Sequence, residues 1–137
     1  MSGLYRQVGV ETSISGASPH QLVKLLIEGY FDSLAKARGG MRNKDQQAKA
    51  ESISRALRIV DEGLKASLDQ SSGGDIANNL YALYTYICVR LTQANLKNDE
   101  SILDECQSLM EPIRDAWSRI EPASGERTQA SSMEVRA

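Results

Sequence analysis

Histidine occurs once in this sequence, at His20, and cysteine twice, at Cys88 and Cys106. That supply is too small for the usual His/Cys zinc sites, and it makes a disulfide framework a poor reading. A di-iron bundle built on two Glu-x-x-His motifs needs at least two histidines and is excluded too. Long apolar runs are missing, so no transmembrane helix is expected. Residues 1–18 lack the basic start and apolar stretch of a signal peptide, which points to a cytoplasmic protein with free thiols. The net charge is only −2. Such a chain has no strong positive field for nucleic acid, and none is expected as a partner. Aromatics make up 5 %, and five of the seven are tyrosine.

What remains is ordinary in bulk. The 137 residues are 41 % apolar and 25 % charged, as in a single soluble domain. A chain of this size buries roughly two-thirds of its unfolded surface.

Residues 1–17 are rich in Gly and Ser and read as a flexible arm with apolar anchors, among them Tyr5, Val8, Val10 and Ile14. Ser18-Pro19-His20-Gln21 then combines an N-cap, a proline suited to the first helical position and a capping box. This helix is expected to stop at Gly39-Gly40. A second helix is expected over about Asp45 to Leu68, with Ile53, Ala56, Leu57, Val60, Leu64 and Ser67 on one stripe. A third runs from about Asp75 to Lys97. The fourth covers about Glu100 to Ile120, with Ile102, Cys106, Leu109, Ile113, Trp117 and Ile120 within about 80° of arc. Pro112 lies inside it and predicts a kink or a split, because proline cannot bond the carbonyl of Ser108. After Pro122 no apolar period remains, and residues 122–137 read as a disordered tail. Four amphipathic segments with short links predict an all-α, antiparallel four-helix bundle over residues 18–121.

The helices are uneven in their apolar surface. Between Ile76 and Leu96 there is one charge, Arg90. Ala77, Tyr81 and Cys88 widen the core stripe of helix three, and Ala82, Tyr86, Val89 and Leu96 lie on its far side. Helix one is broad as well, and Leu25 projects from its polar side. Apolar surface left over in a soluble chain marks an interaction site. Thr85, Thr92 and other uncharged polar residues suit a groove that receives a backbone or a helix. The N-terminal arm or a second copy of the chain is another candidate cover for it, so a homodimer is a further expectation. A basic stretch from Lys36 to Lys49 reads as a solvated loop with its helix ends, or else as a dock for an acidic partner.

Catalytic arrangements do not emerge. Gly39-Gly40 and Gly73-Gly74 lack the lysine and hydroxyl of a phosphate loop. Asp61-Glu62 and Asp104-Glu105 are adjacent pairs that diverge on a helix. His20 reads as a surface residue of a helix start. No enzyme, cofactor or metal site is expected.

Four segments together carry a family resemblance: YRQVGVETSISGASPHQLVKLLIEG (5–29), ISRALRIVDEGLKASLD (53–69), GGDIANNLYALYTYICVRLTQANLKND (73–99) and IRDAWSRI (113–120). They resemble the flagellar secretion chaperone FliS family. Thr85 stands where that family usually has aspartate, and Tyr30 and Phe31 replace smaller residues. The resemblance implies a four-helix bundle that binds the disordered C-terminal segment of flagellin, blocks its premature polymerisation and docks at the export gate. It also implies that the N-terminal arm covers part of the groove when the client is away. With the surface reading above, Leu25, Gly29, Tyr81, Thr85, Cys88, Val89, Thr92 and Leu96 are the partner-binding candidates.

Overall fold

The computed structural model describes residues 18–120. The arm positions Tyr5, Val8, Val10 and Ile14, and the tail from 122 to 137, lie outside the described residues. Within them the chain forms four helices: α1 (Pro19–Arg42), α2 (Gln46–Arg58), α3 (Gln70–Lys97) and α4 (Glu100–Arg119). They run up, down, up and down. Each packs on its neighbours in sequence, and α4 closes against α1, so α1 and α3 face each other across the core diagonal.

Local chemistry sets most boundaries. Ser18 Oγ accepts from the Gln21 amide at 3.1 Å, and the Gln21 side chain accepts from the Ser18 amide at 2.9 Å, completing the capping box. Asp45 caps α2 through the Ala48 amide, and Asp99 caps α4 through the Ser101 amide. Gly74 takes φ 59° and ψ −137° inside α3, so regular helix begins at Asp75, as expected.

Three expectations are corrected. α1 does not stop at Gly39-Gly40 but continues to Arg42. The reversal occurs at Lys44, with φ 57°. Gly40 serves close approach instead: a Cβ there would stand 2.7 Å from the Lys49 amide nitrogen.

Of the kink or split expected at Pro112, the split does not occur: α4 runs as one helix to Arg119. Ser108 and Pro112 are both exposed, so water can meet the carbonyl that proline leaves unbonded.

The buried stripe of α4 is also wider than its spacing indicated. Leu103 and Met110 are fully buried, whereas Ile120 is 52 % exposed. α4 packs against both α1 and α3, which broadens its buried arc, and Ile120 caps its free end.

α2 continues as a π-helical segment, Ile59–Leu64, with Lys65 N bonding Val60 O at 2.8 Å. A π turn holds one residue more than an α turn and shifts the register beyond it. Ile59 and Val60, adjacent in sequence, are therefore both fully buried. At the core centre, the Tyr30 hydroxyl donates to the Cys106 carbonyl at 2.8 Å. Both thiols are free. Burial pushes the Cys106 thiol up to about 12 and raises that of Cys88.

Candidate functional site

The sequence of α3 leaves it more apolar surface than the bundle uses. Ala77, Tyr84, Ile87, Leu91 and Ala94 are buried in the core. Opposite them stand Tyr86, Val89 (50 % exposed) and Leu96 (79 %), while Ile76 (73 %) is exposed at the start of the helix. Tyr81, Thr85 and Thr92 are exposed too, while Cys88 is half-buried. Tyr81, Thr85, Cys88, Val89, Thr92 and Leu96 thus share one outward surface about 22 Å long at 1.5 Å per residue.

Two hydrogen bonds make this surface less polar than its composition. Thr85 Oγ1 donates to the Tyr81 carbonyl at 2.9 Å, and Thr92 Oγ1 to the Cys88 carbonyl at 3.0 Å. Hydroxyls spent on their own helix leave the threonine methyl groups outward. The outward surface between Tyr81 and Leu96 is therefore an apolar stripe.

Charge is confined to the rims. On the side of α2, Lys65 Nζ lies 4.7 Å from the Tyr81 ring centroid and bridges Asp61 at 3.3 Å. The π-helical segment sets that register, since Asp61 lies within it and Lys65 follows it. On the side of α4, Arg90 Nε bonds Glu105 at 2.7 Å, and the Tyr86 hydroxyl donates to the same carboxylate. These donors hold the Glu105 carboxyl below the usual carboxylate range.

The two α1 candidates do not join this surface. Leu25 is half-buried against the core. Gly29 is buried, and a Cβ there would stand 3.3 Å from Ile59 Cδ1, so it offers no surface of its own. Both lie across the bundle diagonal from α3.

The basic stretch is largely paired within the fold. Arg38 and Arg42 bond Glu100 and Asp104 of α4, Lys36 bridges Asp32, and Lys49 Nζ donates to the Asn95 carbonyl at 3.1 Å. A dock for an acidic partner has little free cation to work with.

The structure corrects the expectation that His20 is a surface residue. Its ring packs against Trp117 at a tilt of 47°, with centroids 4.8 Å apart. Neither ring nitrogen has a hydrogen-bond partner among the described residues. The two rings wall an open groove of about 410 Å³, lined also by Leu64, Leu68, Leu80 and Tyr84. Burial pushes the Tyr84 hydroxyl up to about 12. The legible sign was Trp117 on the α4 stripe, but a ring pairing across 97 positions has no local signature.

Among the described residues no group of three or more His, Cys, Asp or Glu could hold a metal ion. No described helix is long and apolar enough to cross a membrane.

The comparisons with known proteins agree with this geometry. The family model described as flagellar protein FliS matches residues 1–124. The chain is 47 % identical over 118 residues to the flagellar secretion chaperone FliS of Salmonella typhimurium, covering 86 % of this chain and 87 % of that protein. It is 44 % identical over 113 residues to the Escherichia coli protein of that name, covering 82 % and 83 %. It is 30 % identical over 109 residues to its Bacillus subtilis counterpart, with 80 % of each covered. This four-helix bundle with an apolar outer face belongs to the FliS family of flagellar secretion chaperones.

Proposed function

We propose that this chain is a cytoplasmic, non-enzymatic export chaperone that binds the disordered C-terminal segment of flagellin on the outer face of α3. Bound there, the segment is withheld from premature polymerisation and delivered to the flagellar export apparatus, whose gate is a second partner. The observation that carries the reading is the exposed stripe of Tyr81, Val89 and Leu96, on a helix with a single charge between Ile76 and Leu96. A disordered client can lay an amphipathic helix in such a stripe and gain its ordering entropy back from apolar burial. Leu25, across the bundle, is reached only by a client that wraps around it, and Gly29 supports that wall without touching the client.

In the client's absence the arm residues Tyr5, Val8, Val10 and Ile14 cover part of this surface.

Titration calorimetry with the flagellin C-terminal segment tests the reading. Val89 is half exposed, so Val89→Asp is expected to weaken binding at least tenfold while the melting temperature stays nearly constant. Unchanged affinity with a large loss of stability would place Val89 in the core and remove the proposed surface.

A further inference from the structure

Tyr81 and Tyr86 lie five residues apart on α3, so about 140° apart around the helix at about 100° per residue. Thr92, Thr85, Leu96 and Val89 fall inside that arc, at about 20°, 40°, 60° and 80° from Tyr81. A tyrosine therefore walls the outward stripe on each side. Both rings stand partly in water, 39 % and 45 % exposed, yet each is held by charged groups. Toward α2, Lys65 Nζ sits 4.7 Å from the Tyr81 centroid and is itself fixed by Asp61 at 3.3 Å. Toward α4, the Tyr86 hydroxyl donates to Glu105 at 2.5 Å, and Arg90 Nε donates to the same carboxyl group at 2.7 Å. Arg90 also donates to Gln93, so the single charge between Ile76 and Leu96 is drawn to the rim.

We propose, resting on α3 as the client surface, that Lys65 and Glu105 are positioning residues: they hold Tyr81 and Tyr86 as the two walls of the stripe without touching the client. A loose tyrosine on a helix surface changes rotamer freely, and a client that packs on it must stop that motion. Each side chain so immobilised weakens binding by roughly two- to tenfold, a loss avoided where the ring is held beforehand. The client helix then lies on a floor of Val89 and Leu96 with its flanks against two rings already in place. Tyr86 joins the binding residues through its ring, while its hydroxyl faces Glu105. The π-helical segment contributes as well, because it sets the register that brings Lys65 over Tyr81.

Titration calorimetry of the full chain with the flagellin C-terminal segment, paired with thermal melts, tests the two anchors. Tyr86→Phe separates the alternatives by sign. A stripe that binds through apolar area alone binds more tightly once the hydroxyl is gone, whereas a wall that has lost its anchor binds about threefold more weakly. Glu105→Ala is expected to give the same loss, with nothing further when the two changes are combined. Lys65→Met keeps the apolar stem, removes the charge and weakens binding about threefold. Lys65→Arg restores it, and Lys65→Met has no effect once Tyr81→Leu has removed the ring. Melting temperatures stay within a few degrees of the parent, since exposed pairs contribute little. A Tyr86→Phe chain that binds as tightly as the parent, or more tightly, overturns the proposal. So does a Lys65→Met loss that persists without the Tyr81 ring, or a loss of affinity matched by a large fall in melting temperature. Val89→Asp keeps the two readings apart. If it binds like the parent, α3 is not the client surface and both fail; if it abolishes binding while the anchor variants change nothing, only the anchored walls fail.

Discussion

Gly39 and Gly40 are adjacent in α1 and answer to opposite demands. A Cβ on Gly39 would meet nothing within 4 Å, whereas one on Gly40 would press on the Lys49 backbone at 2.7 Å and the Asp45 carbonyl at 3.1 Å. Alanine restricts the unfolded chain and favours helix at either site. Gly39→Ala is therefore expected to stabilise by about 0.5–1 kcal/mol. Gly40→Ala must force α1 from α2 and is expected to cost about 1–3 kcal/mol, a fall of several degrees in melting temperature. Equal effects of the two changes in thermal melts would show that no close approach exists. The pair also marks what local reading resolves. Two glycines after an apolar period resemble a helix end, and only the neighbour at Lys49 reveals that one of them is a contact.

At the scale of the element, caps and apolar surplus were legible and rotation was not. Ser18 announces the first helix start because its hydroxyl acts on an amide three residues away, and Asp45 and Asp99 cap α2 and α4 in the same local way. The surplus on α3 was legible because one charge in 21 residues exceeds what a single buried stripe explains. The π-helical segment was not, since ideal spacing of 100° per residue assumes the turn that Ile59–Leu64 departs from. Nor were the diagonal placement of α1 against α3 and the full burial of Leu103 and Met110, which depend on which helices become neighbours. Pro112 removes one amide bond on the water side, and Pro112→Ala restores it to the Ser108 carbonyl without new packing. A gain of about 1–2 kcal/mol in denaturant unfolding is expected, below the ~3 kcal/mol typical of interior proline because water already serves the carbonyl. A neutral or destabilising result would mean that the proline ring itself packs.

Over the described residues, Lys49 is the one charged side chain that is buried, and the protons that matter at high pH lie in the core. Arg38, Arg42, Glu100 and Asp104 tie α1 to α4 at one end, and exposed pairs of this kind contribute little each. The core holds Tyr30, Tyr84 and Cys106, all raised above their ordinary values, by burial first. The buried groups keep their protons where the unfolded chain has lost them, so the folded state binds more protons above the unfolded values of 9.0 for the thiol and 10.0 for the phenols. Stability is therefore fully present below pH 9.0 and declines as pH rises through the window up to about 12. Each group still protonated only in the fold steepens the loss by up to about 1.4 kcal/mol per pH unit. Urea midpoints measured from pH 7 to pH 11 are expected to hold level and then drop. Tyr30→Phe removes one raised group together with its bond to the Cys106 carbonyl, so it starts lower at neutral pH and falls less steeply above pH 10.0. A parent midpoint that stays level to pH 11, or a Tyr30→Phe slope as steep as the parent's, would mean that these hydroxyls and thiols reach water in the folded bundle.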